Sequence, residues 1–408
     1  MKQIVILGAG FGGLSAAKLL AKKLKNAGLN DKYKITLVDR NDYHTYTPML
    51  YEAATTAKET ANYIELRNIA TFPMSVALKN SGINFIKNEI VKINIADGVV
   101  QLRNETLTCD YLVLALGSET NFFGIPGLEE RALTLKTFID ALRLRDTILN
   151  AIAENQNARI IIGGGGSTGV ELAGEIKMWM PQTRVSIIEA SESVLFGFAP
   201  KVVRKAEKRL MCLGIEIITS ERITSIDEKK VKLASGKDVA YNVFVWGGGT
   251  KASKLISELP LKIEEGKRGR VEVAEEMECL VRTPDLTLRS KIYATGDNVC
   301  SKAPSVARAA IDHAKIASSN IIADILNEEG RGKFGHKIYK SYDYPYIIPV
   351  GGKYAIVKIG PFVISGFFGW IIKGIVELNY LLSILPFWRA LKVWLKGIKI
   401  FIQNDRLG

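Results

Sequence analysis

The chain has 408 residues, with 55 Lys and Arg against 42 Asp and Glu (formal charge +13), 47% hydrophobic and 24% charged. At roughly 150 residues per domain this is two to three domains of ordinary globular composition, not a disordered, collagenous or fibrous chain. Cys109, Cys212, Cys279 and Cys300 stand far apart without a C-x-x-C, and there are three histidines, so a disulfide framework, a zinc ribbon, a redox dithiol and any His-built metal site are not expected.

In chain order, the first element is an apolar strand over residues 3–7. It lacks the charged-then-apolar pattern of a signal peptide, so a cytosolic chain is expected. Gly8, Gly10 and Gly13 follow, then a helix with small residues on one face, then a strand over 34–39 ending in Asp39. A buried strand near 111–116 ends at Gly117. Residues 159–169 repeat the first plan with Gly164, Gly166 and Gly169, and the next strand, 184–189, ends in Glu189. A strand ending in glycines at 242–249 repeats the earlier device; 291–296 leads through Gly296 into Asp297, and an alanine-rich helix is expected over 304–325. Such β–α–β order predicts parallel sheets and an α/β class with two Rossmann-like dinucleotide-binding domains.

The glycine spacing has a mechanical reading. The first glycine permits the tight turn, the second lets backbone approach a pyrophosphate, and the third lets helix and strand close up. The phosphates then meet the positive helix N-terminus. Asp39 and Glu189, at the ends of the following strands, suit ribose hydroxyls; Glu189 lies 20 residues beyond Gly169, the usual gap. A carboxylate there repels a 2′-phosphate, which favours NADH over NADPH. A single motif of this kind is often a turn with no ligand; two, each with its acid, are not.

Beyond about 330 the chain turns apolar and basic. Read as a helix, 386–403 sets Arg389, Lys392, Lys396 and Lys399 on one face, with Phe387, Trp388, Leu391, Trp394, Leu395, Ile398, Phe401 and Ile402 around the other. That pattern describes a helix lying in a membrane interface. Packing on the chain's own core or on a twin subunit, giving a homodimer, is the alternative. Lys373, Glu377 and Pro386 interrupt the longest apolar runs, so no spanning segment is expected. No nucleic-acid module accompanies the positive charge, and no nucleic-acid partner is expected.

Both glycine motifs, residues 42–52 (DYHTYTPMLYE), 163–175, 294–297 and 304–314 resemble the type II NADH:quinone oxidoreductases, within the two-dinucleotide flavoproteins, over nearly the whole chain. The resemblance implies FAD on the first unit and NADH on the second. It implies an FAD domain split into 1–118 and 270–330, an NADH domain at 119–269 and a C-terminal amphipathic helical membrane-anchoring region at 331–408. Pro48 would lie in a loop over the flavin, with Gly117, Gly296, Asp297 and Ala307 also on the FAD side. On the residues alone Glu171 reads first as an ordinary first-turn Glu favoured by the helix dipole; the resemblance reverses that, matching it to a family glutamate at the flavin face where nicotinamide stacks. Arg308 and Asp312 replace glutamines that the family carries on the quinone side, and residues four apart also suit an ion pair. The implied enzyme is a respiratory-chain oxidoreductase, peripheral on the cytoplasmic face of the cell membrane, that does not pump protons. Two alternatives share these features: a sulfide:quinone oxidoreductase, for which Cys300 near Asp297 is of interest, and a non-catalytic nucleotide- and membrane-binding flavoprotein.

Overall fold

The computed structural model describes residues 1–266, 268–282, 291–301 and 306–404, so Pro304 of the expected helix start lies outside the described residues. The chain forms two compact units. One comprises Met1–His44, Pro73–Glu119 and Thr250–Tyr344; the other comprises Thr45–Phe72, Thr120–Gly249 and Pro345–Gly408.

The first unit is built on a five-stranded sheet in the order Lys291–Ala294, Tyr111–Leu114, Lys2–Leu7, Tyr33–Asp39, Asn84–Lys87, all parallel. Ile4, Val5, Ile6 and Leu7 of the central strand are buried, as a parallel strand covered on both faces demands. Helices Phe11–Asn26 and Ala307–Glu328 pack on one another through small residues, among them Ala16, Ala17, Ala314 and Ala317. The Ser318 hydroxyl donates to the Ala16 carbonyl at 3.4 Å.

The second unit repeats the plan with a four-stranded parallel sheet, Glu216–Ile218, Arg184–Ile188, Arg159–Gly163, Val243–Trp246. Its C-terminal part is an antiparallel sheet of Tyr346–Pro349, Ala355–Ile359 and Phe362–Gly366, followed by helices Phe367–Ile384 and Phe387–Gln403. That sheet is seated on the helix Ser167–Trp179 at Gly174, where a Cβ would stand 2.7 Å from the Gly351 nitrogen. Arg209 fixes the same turn by donating to the carbonyls of Val350 (3.3 Å) and Gly351 (3.2 Å).

Phe367–Ile384 is long and apolar enough to cross a membrane, which the sequence reading did not expect. Lys373 and Glu377, read from sequence as interruptions, are largely buried: Lys373 pairs with Glu52, and Glu377 lies 4.0 Å away. Phe368, Ile371, Ile375, Val376 and Leu382 remain exposed, so this helix has one protein face and one apolar outer face. The last helix also differs from a simple two-faced design. Phe401 and Ala390 are buried, Phe401 with its ring 5.4 Å from that of Trp370, and the Trp394 indole donates to the Gly374 carbonyl at 2.8 Å. Lys396 pairs with Glu65 at 3.4 Å on the surface of the same unit, so one of the four expected headgroup cations has an acid partner. Asn404 ends the helix by accepting from the Ala57 N–H and donating to the Thr55 carbonyl, each at 2.9 Å.

Candidate functional site: two dinucleotide cradles

In the first unit the chain leaves the strand Lys2–Leu7 through Gly8, whose φ is +101°. A Cβ on Gly8 would lie 2.3 Å from the Ala115 carbonyl oxygen, and one on Gly13 would lie 1.8 Å from the Gly8 oxygen. Only glycine fits either place. At Gly10, just before the helix Phe11–Asn26, a Cβ would meet nothing within 4 Å, which leaves an open approach to the helix N-terminus. Asp39 ties the cradle together: one oxygen accepts from the Ala9 N–H (2.7 Å), the other from the Asn41 N–H (2.8 Å). Burial raises its pKa, and these backbone donors oppose the rise.

Gly117 (φ +68°) and Gly296 (φ +83°) turn the chain at the ends of two neighbouring strands. Asp297 accepts from the Ser118 hydroxyl at 3.1 Å, and Ala307 opens the helix Ala307–Glu328. Gly8, Gly10, Gly13, Asp39, Gly117, Gly296, Asp297 and Ala307 all belong to this unit; Pro48 belongs to the other, in the short turn Thr47–Met49. The buried Thr295 hydroxyl has no hydrogen-bond partner among the described residues, and a Cβ on Gly12 would come within 2.6 Å of it. An orphaned hydroxyl beside an open glycine loop fits an FAD phosphate and ribityl chain.

Sequence reasoning missed His44. Its Nδ1 donates to the Ala9 carbonyl at 2.9 Å, and its ring meets Phe11 edge-on, so it buttresses the glycine loop. Burial lowers its pKa to about 4, leaving it neutral. The only signal was its place in 42–52.

The second cradle copies the first. Gly164 (φ +106°) has no room for a Cβ, which would stand 2.4 Å from Gly248 Cα; one on Gly169 would stand 2.0 Å from the Gly164 oxygen; Gly166 is open. Glu189 accepts from the N–H groups of Gly165 (2.6 Å) and Ser191 (2.8 Å), the positions equivalent to Ala9 and Asn41.

Helix Ser167–Trp179 of this cradle carries Glu171 into a buried charged group with Glu175, Glu52, Lys373 and Glu377. Burial above all pushes the Glu171 carboxyl up to about 8; Lys373 opposes this, and Glu175 and Glu52 add to it. Glu377 is pushed up to about 7, again mainly by burial. Lys373 stays charged, since Glu52 and Glu377 outweigh its own burial. Tyr51 donates to Glu52 at 3.0 Å. Glu171 is therefore a protonated acid at neutral pH, unlike an ordinary first-turn glutamate.

Of the two substituted positions, Asp312 is fully engaged. It accepts from Arg308 Nε (3.1 Å), Lys315 Nζ (3.0 Å) and the Tyr342 hydroxyl (3.1 Å), which hold it charged despite burial. Arg308 is half exposed. His313 is buried, 4.6 Å edge-on to Tyr339, and burial lowers its pKa to about 4. The thiol of Cys300 is pushed up by burial and by Glu264 and Glu272, away from a reactive thiolate. Among the described residues no group of His, Cys, Asp and Glu is placed to hold a metal.

A family model described as pyridine nucleotide-disulphide oxidoreductase matches residues 2–314. The chain belongs to that family. Relatives similar to it include the type II NADH:quinone oxidoreductase Ndh of Mycobacterium tuberculosis, 29% identical over 93% of this chain and 84% of that one. Another is the type II NADH:quinone oxidoreductase of Staphylococcus aureus, 29% identical over 82% of this chain and 85% of that one. Among solved structures, NDH2 of Plasmodium falciparum in complex with NADH aligns over 100% of this chain and 99% of its own, with a TM-score of 0.81 at 18% identity. The sulfide:quinone oxidoreductase of Aquifex aeolicus aligns over 96% and 92%, with a TM-score of 0.76 at 18% identity. At such identities these two establish the fold they share with this pyridine nucleotide-disulphide oxidoreductase.

Proposed function

We propose that this flavoprotein oxidises NADH and reduces a membrane quinone, docked as a monotopic enzyme on the cytoplasmic face where NADH is found. The observation that carries the reading is the presence of two complete acid-closed glycine cradles on a chain whose C-terminal helices turn Lys373 inward and leave Phe368, Ile375, Val376, Phe387 and Trp388 exposed.

The first cradle holds FAD through Gly8, Gly10 and Gly13 at the helix N-terminus, Asp39 toward ribose and Asp297 toward the ribityl–phosphate portion. Bound FAD supplies the redox chemistry, taking a hydride from NADH and giving two electrons to quinone. The second cradle holds NADH through Gly164, Gly166, Gly169 and Glu189. Overall, NADH, a proton and quinone become NAD⁺ and quinol, so one proton per turnover comes from the medium. Glu171, protonated at neutral pH, can donate a hydrogen bond to the nicotinamide carboxamide. Arg308 offers donors to a quinone oxygen, while Asp312, held by three donors, orients it.

The test is quinone reduction with NADH, with sulfide and with neither. Activity with NADH alone supports the reading. Activity with sulfide alone would turn it toward the sulfide enzyme, which the unactivated Cys300 disfavours, and a bound flavin with neither activity would favour the non-catalytic alternative. In the same assay Glu189→Ala should narrow the preference for NADH over NADPH about tenfold or more, by removing a negative charge beside the 2′-position. Equal use of both by the wild type would disprove this role for Glu189.

A further inference from the structure

We propose that Phe196 is the stacking platform for the adenine of the dinucleotide held by the second cradle. The inference rests on the reading of that cradle as the NADH site and deepens it.

A single exposed aromatic is unremarkable on a protein surface. What distinguishes Phe196 is how it is held. The residue is 62% exposed, yet its neighbours are locked. Val194 and Leu195 are buried; Phe198 meets Tyr346 edge-on at 5.0 Å, and the Ala199 N–H donates to the Tyr346 hydroxyl at 3.2 Å. The two residues flanking Phe196 both have left-handed backbone, Leu195 at φ +52° and Gly197 at +85°. For glycine this is free; for a leucine it is a strained conformation that persists only where surrounding structure enforces it. The enforcement is visible. The Leu195 N–H donates to the carbonyl of Gly165 at 2.7 Å, and the Phe198 N–H donates to the Leu195 carbonyl at 3.0 Å.

These bonds fasten the loop to the glycine turn itself. Gly165 is the same residue whose N–H binds Glu189, and a Cβ on it would stand 2.9 Å from Val194 Cγ1 and 3.2 Å from Glu189 Cβ. The loop therefore starts at the ribose carboxylate, returns to the glycine turn at Leu195 and there turns one aromatic ring outward. The adenosine end of a dinucleotide is the part that a carboxylate at Glu189 meets. Adenine is flat, and a rigidly presented ring is what a base stacks on.

The test uses the flavin-loaded enzyme and two donors, NADH and reduced nicotinamide mononucleotide, which lacks the adenosine half. Phe196→Ala should raise KM for NADH by roughly 5- to 100-fold, the range of aromatic–base stacking. It should leave kcat with NADH nearly unchanged and KM for the mononucleotide unmoved. Binding of ADP-ribose followed by calorimetry should weaken by the same factor, and Phe196→Trp should restore both. A rise in KM for both donors would mean a general disturbance of the loop and would overturn the proposal. An unchanged KM for NADH in Phe196→Ala, with a raised one in Glu189→Ala, would overturn the platform while leaving the cradle assignment standing. If neither variant moved KM for NADH, the cradle assignment and the platform would fall together.

Discussion

Replacing Lys373 with methionine is expected to destabilise the enzyme by about 3–5 kcal/mol, the usual result of removing one partner from a buried ion pair. The cation lies against Glu52 and near Glu377, and all three are largely buried. Without it Glu52 keeps the Tyr51 hydroxyl but is left as a buried carboxylate that has lost its cation. The apparent unfolding temperature of the flavin-loaded protein should fall by on the order of 10 °C. Adding Glu52→Gln to Lys373→Met should recover most of the loss, because both charges are then gone; a double variant no more stable than the single one would show that the pairing is not what matters.

The same group gives a pH dependence of definite sign. Glu171 and Glu377 hold their protons up to about 8 and about 7 in the folded chain, against an ordinary 4.5 when unfolded. The folded state thus binds more protons than the unfolded state between these values. Stability is highest below about 4.5 as far as these groups are concerned and declines as pH rises through 7 and 8. Lys373 opposes the rise in both, so Lys373→Met should carry the decline to higher pH. Unfolding temperatures measured from pH 5 to 9 check both statements.

The second large effect concerns membrane docking. Cutting off the C-terminal helices would be a poor test, since Lys373, Lys396 and Asn404 hold Glu52, Glu65 and Thr55 of the same unit. Surface substitutions avoid this. Phe368 is 71% exposed and Trp388 78% exposed, on the two helices in turn. Phe368→Glu with Trp388→Glu should lower partitioning into anionic liposomes by on the order of a hundredfold or more, each change removing the burial of a large apolar side chain and adding a charge to be buried. Unfolding temperature, flavin content and NADH oxidation with a small soluble acceptor should stay near wild type, while turnover with a long-tailed quinone in membranes drops. Undiminished liposome binding would assign this face to a contact between copies of the chain. High salt should weaken wild-type binding only in part, because Arg389, Lys392 and Lys399 contribute about 1 kcal/mol each near anionic lipid.

What the sequence determined by itself was everything set by neighbours along the chain. Gly13 and Gly169 are demanded by turns that close on a carbonyl five residues back, and Gly8 and Gly164 by the positive φ that starts those turns. Asp39 and Glu189 come at the ends of the strands that follow those turns, and β-branched runs pair as parallel strands. The amphipathic character of Phe387–Gln403 follows from helical spacing, though not which of its apolar side chains turn inward. The tertiary structure alone decided the rest. Lys373 reads along the chain as a charge breaking an apolar helix; its partner Glu52 lies 321 residues away, and only folding brings them together. Residues 45–72 and 345–408 join the unit that carries the second cradle, although the first stretch follows directly on the first cradle's strands. Whether Asp312 is free for a ligand turned on Tyr342, thirty residues on. Phe196 looks like any surface phenylalanine until the positive φ of Leu195 and its bond to Gly165 are known. Turn sterics and helical periodicity are local and leave a mark in the sequence. The partner of a buried charge, or the direction of an exposed ring, depends on where distant backbone ends up, and a low-dielectric interior makes that placement energetically decisive.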